Sequence, residues 1–298
     1  MVENRAIREA LDQRIAELET AHVISPARLS AIQHQAAGVR LSGPGMDDMS
    51  APLLAVCEGR QSPSRQLLNI SSRHWAYNQT AFVATFAHEF AHHGCATERF
   101  FADGPFAMLP MTGNYSSIVW ALDNKLAASV ARLDDADFAA EVQHRFGDDL
   151  GELTLVSPRW HYPLSLIWAD DYVADRAVLV GDAARGIHPI AGQGWNLAVR
   201  DIATIAEIAV DRLRLGLDPG SADALEGYAA WRRFDGLALV AVTDGINRLF
   251  ANDILPVKLA RNLGLGLVDR SEPAKGFFMR HAMGLAGNLP RTMRGEAF

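Results

Sequence analysis

The stretch "VLVGDAARGIHPIAGQGWNLAVRD", residues 178–201, decides how this chain folds. It opens within a short, nearly continuous apolar run, 176–183, that ends in Gly-Asp, the profile of a strand buried on both faces. Asp182 stands at the carboxyl end of that strand, where open α/β sheets bind ligands. A carboxylate there can accept hydrogen bonds from a ribose hydroxyl. The chain then turns through Pro189, Gly192 and Gly194 into a long helical run, "GWNLAVRDIATIAEIAVDRL". That turn sets free backbone N–H groups and the positive end of a helix dipole beside the strand terminus, an arrangement that stabilises an anion. Its glycines let a planar ring approach the backbone. Read alone, Gly-Asp also fits a tight strand–helix turn with a capping Asp.

Outward from this run, the composition is that of an ordinary globular chain: 298 residues, 49% hydrophobic and 21% charged. A net charge of −7 argues against a nucleic-acid binder, whose affinity comes from clustered Lys and Arg. Two cysteines, Cys57 and Cys95, make no disulfide framework, so a reducing cytoplasm is the expected compartment. No apolar run reaches the ~18 residues of a membrane span. Residues 246–298 reverse the general acidity, with eight Lys/Arg against four Asp/Glu among many Leu, Phe and Met. Such an end suits an anionic membrane surface or an acidic partner, or simply covers the core as a solvated helical tail.

Residues 4–19 read as an amphipathic helix, with Ile7, Leu11, Ile15 and Leu18 on one stripe. From about 80 to 122, "AFVATFA", "PFAMLPM" and "SSIVWALD" suit an antiparallel sheet. Residues 132–150 and 222–250 read as helical. The sum is α/β with a β-rich insert. Within the insert, "HEFAHH" (88–93) contains H-E-x-x-H, which on a helix would let His88 and His92 bind zinc with Glu89 activating a water. Phe82, Phe86 and Phe90 recur every four residues as in a helix. The same stretch also alternates as in a strand.

The run 178–201 resembles the second flavin motif of the aromatic-ring flavoprotein monooxygenases, most closely the ubiquinone-biosynthesis hydroxylases that act on polyprenylated phenols. Three further stretches are similar in order and spacing: "LLAVCEGRQSPSR" (53–65), with Glu58 where the family usually has Asp; "ERFFADGPFAMLPM" (98–111); and "NRAIREAL" (4–11). The resemblance implies an FAD-binding Rossmann-like fold, of the para-hydroxybenzoate hydroxylase type, with an antiparallel substrate domain and a helical C-terminus. It assigns 1–72 and 158–215 to the FAD-binding domain, 73–157 to the substrate sheet and 216–298 to the helical region. The family's opening βαβ unit with its G-x-G-x-x-G is not in this sequence, and "GLGLVD" (264–269) is no substitute. The chain is therefore expected to be truncated at its N-terminus, to hold FAD weakly alone, and to leave the strand at 176–183 short of a neighbour.

By the same resemblance, Asp182 would hold ribitol or ribose hydroxyls. Gly192, Gln193, Gly194, Trp195 and Asn196 would offer N–H groups to the flavin ring, with Pro189 shaping the loop. Glu58, Gly59, Arg60 and Arg65 would form a second nucleotide-side motif, and Arg5 would reach the cofactor from the first helix. Trp195 and Arg185 depart from the usual aliphatic residue and His. Phe106, Met108, Leu109 and Pro110 are candidate walls of an apolar substrate cavity, or plain sheet core. The implied reaction uses NAD(P)H, FAD and O2 to hydroxylate a phenolic ring; no acid–base residue is assigned. The resemblance places 88–93 on strand and loop, where the two histidines would not converge, so no metal is expected. The competing readings are a non-catalytic remnant serving a biosynthetic complex and, distantly, a zinc hydrolase through His88, Glu89 and His92. The remaining expectations are peripheral contact with the inner membrane or a ubiquinone-biosynthesis complex through the basic C-terminus, and homo-oligomerisation.

Overall fold

The computed structural model describes residues 2–189, 192–250, 264, 266, 268–282 and 287–298. In chain order the elements are α1 (Asn4–Ala16), β1 (Ala31–Gln35), β2 (Gly38–Gly43), β3 (Met46–Ala51), β4 (Leu54–Val56) and α2 (Pro63–Leu67). They continue with β5 (Ser72–His88), β6 (Thr97–Phe101), β7 (Gly104–Pro110), β8 (Tyr115–Asp123), α3 (Asn124–Val130), α4 (Asp135–Phe146) and β9 (Leu153–Leu155). Last come β10 (Trp160–Ala169), β11 (Val173–Ala174), β12 (Ala177–Leu179), β13 (Arg185–Gly186), α5 (Gln193–Arg214) and α6 (Ala222–Phe250). A further helix covers Glu272–Ala282. The chain divides into two compact units, one built on residues 76–164 and the other on 24–75 and 165–246.

In the first unit, antiparallel strands lie in the order β5–β8–β7–β6, with β9 against the end of β5. Strand period two sends Phe82, Ala84 and Phe86 of β5, Phe106 and Met108 of β7, and Ile118, Trp120 and Leu122 of β8 to one face. Helix α4 meets that face with Phe138, Val142 and Phe146, spaced one turn apart. The helix is bounded by Asp134, whose carboxylate accepts from the Asp137 N–H, and by Gly147 at φ 84°. Residues 132–150 thus hold one helix flanked by turns. The phenylalanine ambiguity resolves as strand: Phe82 and Phe86 are buried, whereas Phe90 lies beyond the strand end and is 52% exposed.

Gly104 starts β7 with φ 140°, and a Cβ there would lie 2.2 Å from the Ala121 carbonyl oxygen. Gly104→Ala should therefore cost about 3 kcal/mol, from overpacking against backbone and a disfavoured φ. Urea unfolding measures it; a loss below about 1 kcal/mol would mean that the β7–β8 ladder yields at this point.

In the second unit, β12 pairs in parallel with β4 and antiparallel with β11. Ala177, Val178, Leu179 and Val180 are all buried. The expectation that this strand lacks a neighbour is corrected: both its edges are occupied, because β4 and the short return strand β11 flank it. Strands β1–β2–β3 form a separate antiparallel sheet. Helix α5 buries Leu197, Asp201, Thr204 and Ile205. Helix α1 ends at Ala16, short of residue 19, and none of its residues is buried. Of its apolar stripe, Ile7 and Ile15 are half-buried and Leu11 is exposed.

Candidate cofactor site

After β12 the chain makes one 3₁₀ turn, Gly181–Ala183, which presents Asp182. Its side chain is about a third exposed and accepts from Arg60 Nε at 3.2 Å. Asp182 Oδ1 lies 4.0 Å from the point a Cβ on Gly194 would occupy. The strand-end carboxylate and the first turn of α5 therefore converge. Gly192 caps α5 in the left-handed conformation, φ 60°, without a side-chain hydrogen bond to the helix, and nothing lies within 4 Å of where its Cβ would be. The Gly192 N–H donates to the Pro189 carbonyl at 2.9 Å, closing the turn. Ile190 and Ala191 lie outside the described residues. Gln193 is buried and accepts from Asn196 Nδ2 at 3.3 Å, while Trp195 is half exposed.

The 58–65 stretch packs a second set of polar groups against this turn. Arg60 follows Gly59 (φ 80°) and donates to the carbonyls of Ser165 and Ile187, each at 2.6 Å, besides Asp182. Its guanidinium crosses Gly186, whose would-be Cβ falls 2.9 Å from Arg60 Cζ. Glu58 is consumed locally: it accepts from Ser62 Oγ (2.7 Å), Ser64 N (2.9 Å) and Ser64 Oγ (2.8 Å). This carboxylate shapes the turn that begins α2. Arg65, almost wholly buried, donates to the carbonyls of Ala183 (2.8 Å) and Arg60 (3.0 Å), and burial lowers its pKa. It pins the 58–65 turn to the Asp182 turn.

The sequence-predicted residues thus divide. Asp182, Pro189, Gly192, Gln193, Gly194, Trp195, Asn196, Gly59, Arg60 and Arg65 form or adjoin one cluster, with Glu58 bracing it. Arg5 lies on α1, exposed and paired with Glu9 at 2.9 Å. Of the candidate cavity walls, Phe106, Met108 and Pro110 are buried, the first two in the core against α4. Leu109 points to the opposite face, where it pairs with Ser117 and Ala107 with Val119. Val83 and Thr85 extend those rows on β5, and all six are half-buried.

The H-E-x-x-H string is not helical. His88 ends β5 and His92 sits in the following turn, yet the rings do converge, edge to face with centroids 5.5 Å apart. That corrects the expectation that they would diverge: the chain reverses just after the strand. Both nitrogens of each ring are engaged within the protein. His88 contacts the Phe90 carbonyl (2.7 Å) and Ser116 Oγ (3.1 Å), and His92 contacts the Met111 carbonyl (2.8 Å) and the Gly94 N–H (2.9 Å). The lone pairs a zinc ion would need are spent on closing the loop. His88 is buried at the end of β5.

Two residues escaped the sequence reading. His188, fully buried beside Pro189, has its pKa pushed down to about 4, by burial first and by the Arg60 charge second, so it is a neutral imidazole at pH 7. Asp201, also fully buried, accepts from the Gly181 N–H at 2.9 Å and from Arg185 and Arg232 at 2.7 Å each. The available signal was a charge on the apolar stripe of α5, between Leu197 and Ile205.

The chemistry of the cluster is of the kind a flavin nucleotide would need: a carboxylate for sugar hydroxyls, a helix N-terminus for an anionic ring edge, and glycines that leave room for a plane. Residues 5–233 match the family described as "FAD binding domain". The ubiquinone hydroxylase UbiL of Rhodospirillum rubrum is 47% identical over 99% of this chain and 70% of its own length. The 3-demethoxyubiquinol 3-hydroxylase of Escherichia coli is 30% identical over 96% of this chain and 73% of its own. The fold is that of p-nitrophenol 4-monooxygenase PnpA from Pseudomonas putida, with a TM-score of 0.77 at 16% identity over 96% of this chain and 73% of that one. The chain belongs to the FAD-dependent aromatic-ring monooxygenases, in the group of ubiquinone-biosynthesis hydroxylases.

Proposed function

We propose that this protein hydroxylates the aromatic ring of a polyprenylated phenol on the way to ubiquinone. The observation that carries the reading is the convergence of Asp182, Arg60 and the α5 N-terminus at one strand end. FAD, reduced by NAD(P)H, supplies the oxygen-activating chemistry. The chain's own residues bind and orient. Asp182 would accept from the sugar hydroxyls of the cofactor and the first N–H groups of α5 would stabilise the negatively charged edge of its ring, while Arg60 and Arg65 keep the two turns in register. The half-buried second face of the β5–β8–β7 sheet, Val83, Thr85, Ala107, Leu109, Ser117 and Val119, offers apolar and small side chains to a lipophilic ring.

No helix among the described residues is long and apolar enough to cross a membrane. The basic region 246–298 belongs to the proposal as the surface for anionic lipid or a biosynthetic complex. Within it Arg291 is engaged by Glu207 and Asp211 of α5, while Lys258 and Arg261 lie outside the described residues.

The test is complementation of hydroxylase-deficient cells with the gene that encodes this protein. Mass spectrometry of extracted prenylphenols should show a ring-hydroxylated product that cells without the gene lack. No new hydroxylated product, with the protein present and folded, would overturn the proposal.

A further inference from the structure

A single buried carboxylate bonds the chain on both sides of the Asp182 turn. Asp201 sits on α5, two turns beyond the helix start, and is wholly inaccessible to solvent. One oxygen, Oδ2, accepts the Gly181 N–H at 2.9 Å, just before Asp182. The other, Oδ1, accepts from Arg185 Nη2 and Arg232 Nε, both at 2.7 Å. Arg185 is three residues past Asp182 and begins β13; Arg232 belongs to α6 and also bonds Asp235 at 2.6 Å. Asp182 is thus bracketed on both sides by bonds to one side chain of the helix whose N-terminus it faces. The fit between these elements is close: a Cβ on Gly181 would lie 3.0 Å from Ala198 Cβ of α5, and one on Gly236 would lie 2.7 Å from Arg185 Cδ. Arg185 also lies over the Tyr172 ring at 5.2 Å.

A buried carboxylate with two cationic partners costs desolvation, and an apolar residue could fill the same place in a helix core. Its geometry does something an apolar residue cannot: it fixes a backbone amide and a side chain that flank the ligand carboxylate. We propose that Asp201 is a positioning residue for flavin binding, which sets the register between the Asp182 turn and the N-terminus of α5. This rests on the reading of that cluster as the flavin site.

The experiment compares Asp201→Asn with Tyr228→Phe by amide hydrogen exchange, thermal unfolding and titration of FAD by flavin fluorescence. Tyr228 is a buried control: its hydroxyl donates to the Leu179 carbonyl at 2.8 Å, a hydrogen bond that lies outside 181–187. For Asp201→Asn, exchange at Gly181 and through 182–187 should rise about tenfold or more, and FAD affinity should fall roughly tenfold. Asp201→Glu, which keeps the charge, should recover part of both. Tyr228→Phe should lower the melting temperature while leaving both readouts near the starting protein's. If Asp201→Asn fails to fold, Arg185→Met decides instead: exchange should rise at 183–187 with Gly181 still protected. Unchanged exchange at 181–187 in the Asp201 or Arg185 variant, or equal effects from Tyr228→Phe, would overturn the positioning role. Faster exchange with unchanged FAD affinity would overturn the positioning role in flavin binding, whereas the reading of the cluster as the flavin site is overturned separately, by unaltered FAD affinity in Asp182→Ala.

Discussion

Asp182→Ala weakens FAD binding by roughly ten- to a hundred-fold, the loss expected when charge-assisted hydrogen bonds worth about 1.5–3 kcal/mol disappear. The site should otherwise persist. Arg60 loses one partner but keeps the carbonyls of Ser165 and Ile187 at 2.6 Å, so its guanidinium stays over Gly186. Gly181 remains held by Asp201. Fluorescence titration of both proteins with FAD gives the ratio, and circular dichroism shows that the variant is folded. A folded Asp182→Ala protein with unaltered FAD affinity would remove Asp182 from the site.

Phe138→Ala should destabilise the protein by about 3–5 kcal/mol, the range for removing a large buried ring and leaving a cavity. The ring is fully buried, with centroids of Phe82, Phe86 and Trp120 at 6.1, 6.3 and 5.9 Å, and the Arg159 guanidinium stands 5.1 Å above it. Two strands, β5 and β8, and helix α4 would share the void, so collapse around it is difficult. Domains of this kind are stable by only about 5–15 kcal/mol, so the change removes a large part of the total. Urea unfolding followed by tryptophan fluorescence measures it. A loss under about 1.5 kcal/mol would show that the sheet–helix core is loosely packed.

The part of the fold legible in the sequence is the part whose cause is local. An apolar run closed by Gly-Asp, then a glycine turn and a helix, needs no distant residue to be read, and 178–201 folds that way. Helix α4 was placed by its own period. Where two periods coincide, reading stopped: Phe82, Phe86 and Phe90 satisfy a step of four and, equally, a step of two. Only the β8 register, Phe82 against Trp120 and Ala84 against Ile118, separates them. The candidate walls Phe106, Met108, Leu109 and Pro110 could not all face one way in a strand, and which face α4 would take is a tertiary matter. Asp201 was hidden for the same reason, since its partners Gly181 and Arg232 lie 20 and 31 residues away. Glu58 departs from the usual Asp, yet the longer carboxylate still reaches the Ser62 and Ser64 groups that need it.

The alternation along β7 has a consequence for how such a protein diversifies. Positions 106 and 108 answer to α4, so changes there are screened first by whether the chain folds at all. Positions 107 and 109, with their neighbours 83, 85, 117 and 119, alternate with the residues of that core and are not part of it. Substitutions on one side of the strand can therefore accumulate at little cost to folding, while those on the other side must first satisfy the packing against α4. A library built for altered substrate scope would do well to leave every even-numbered position of β7 untouched.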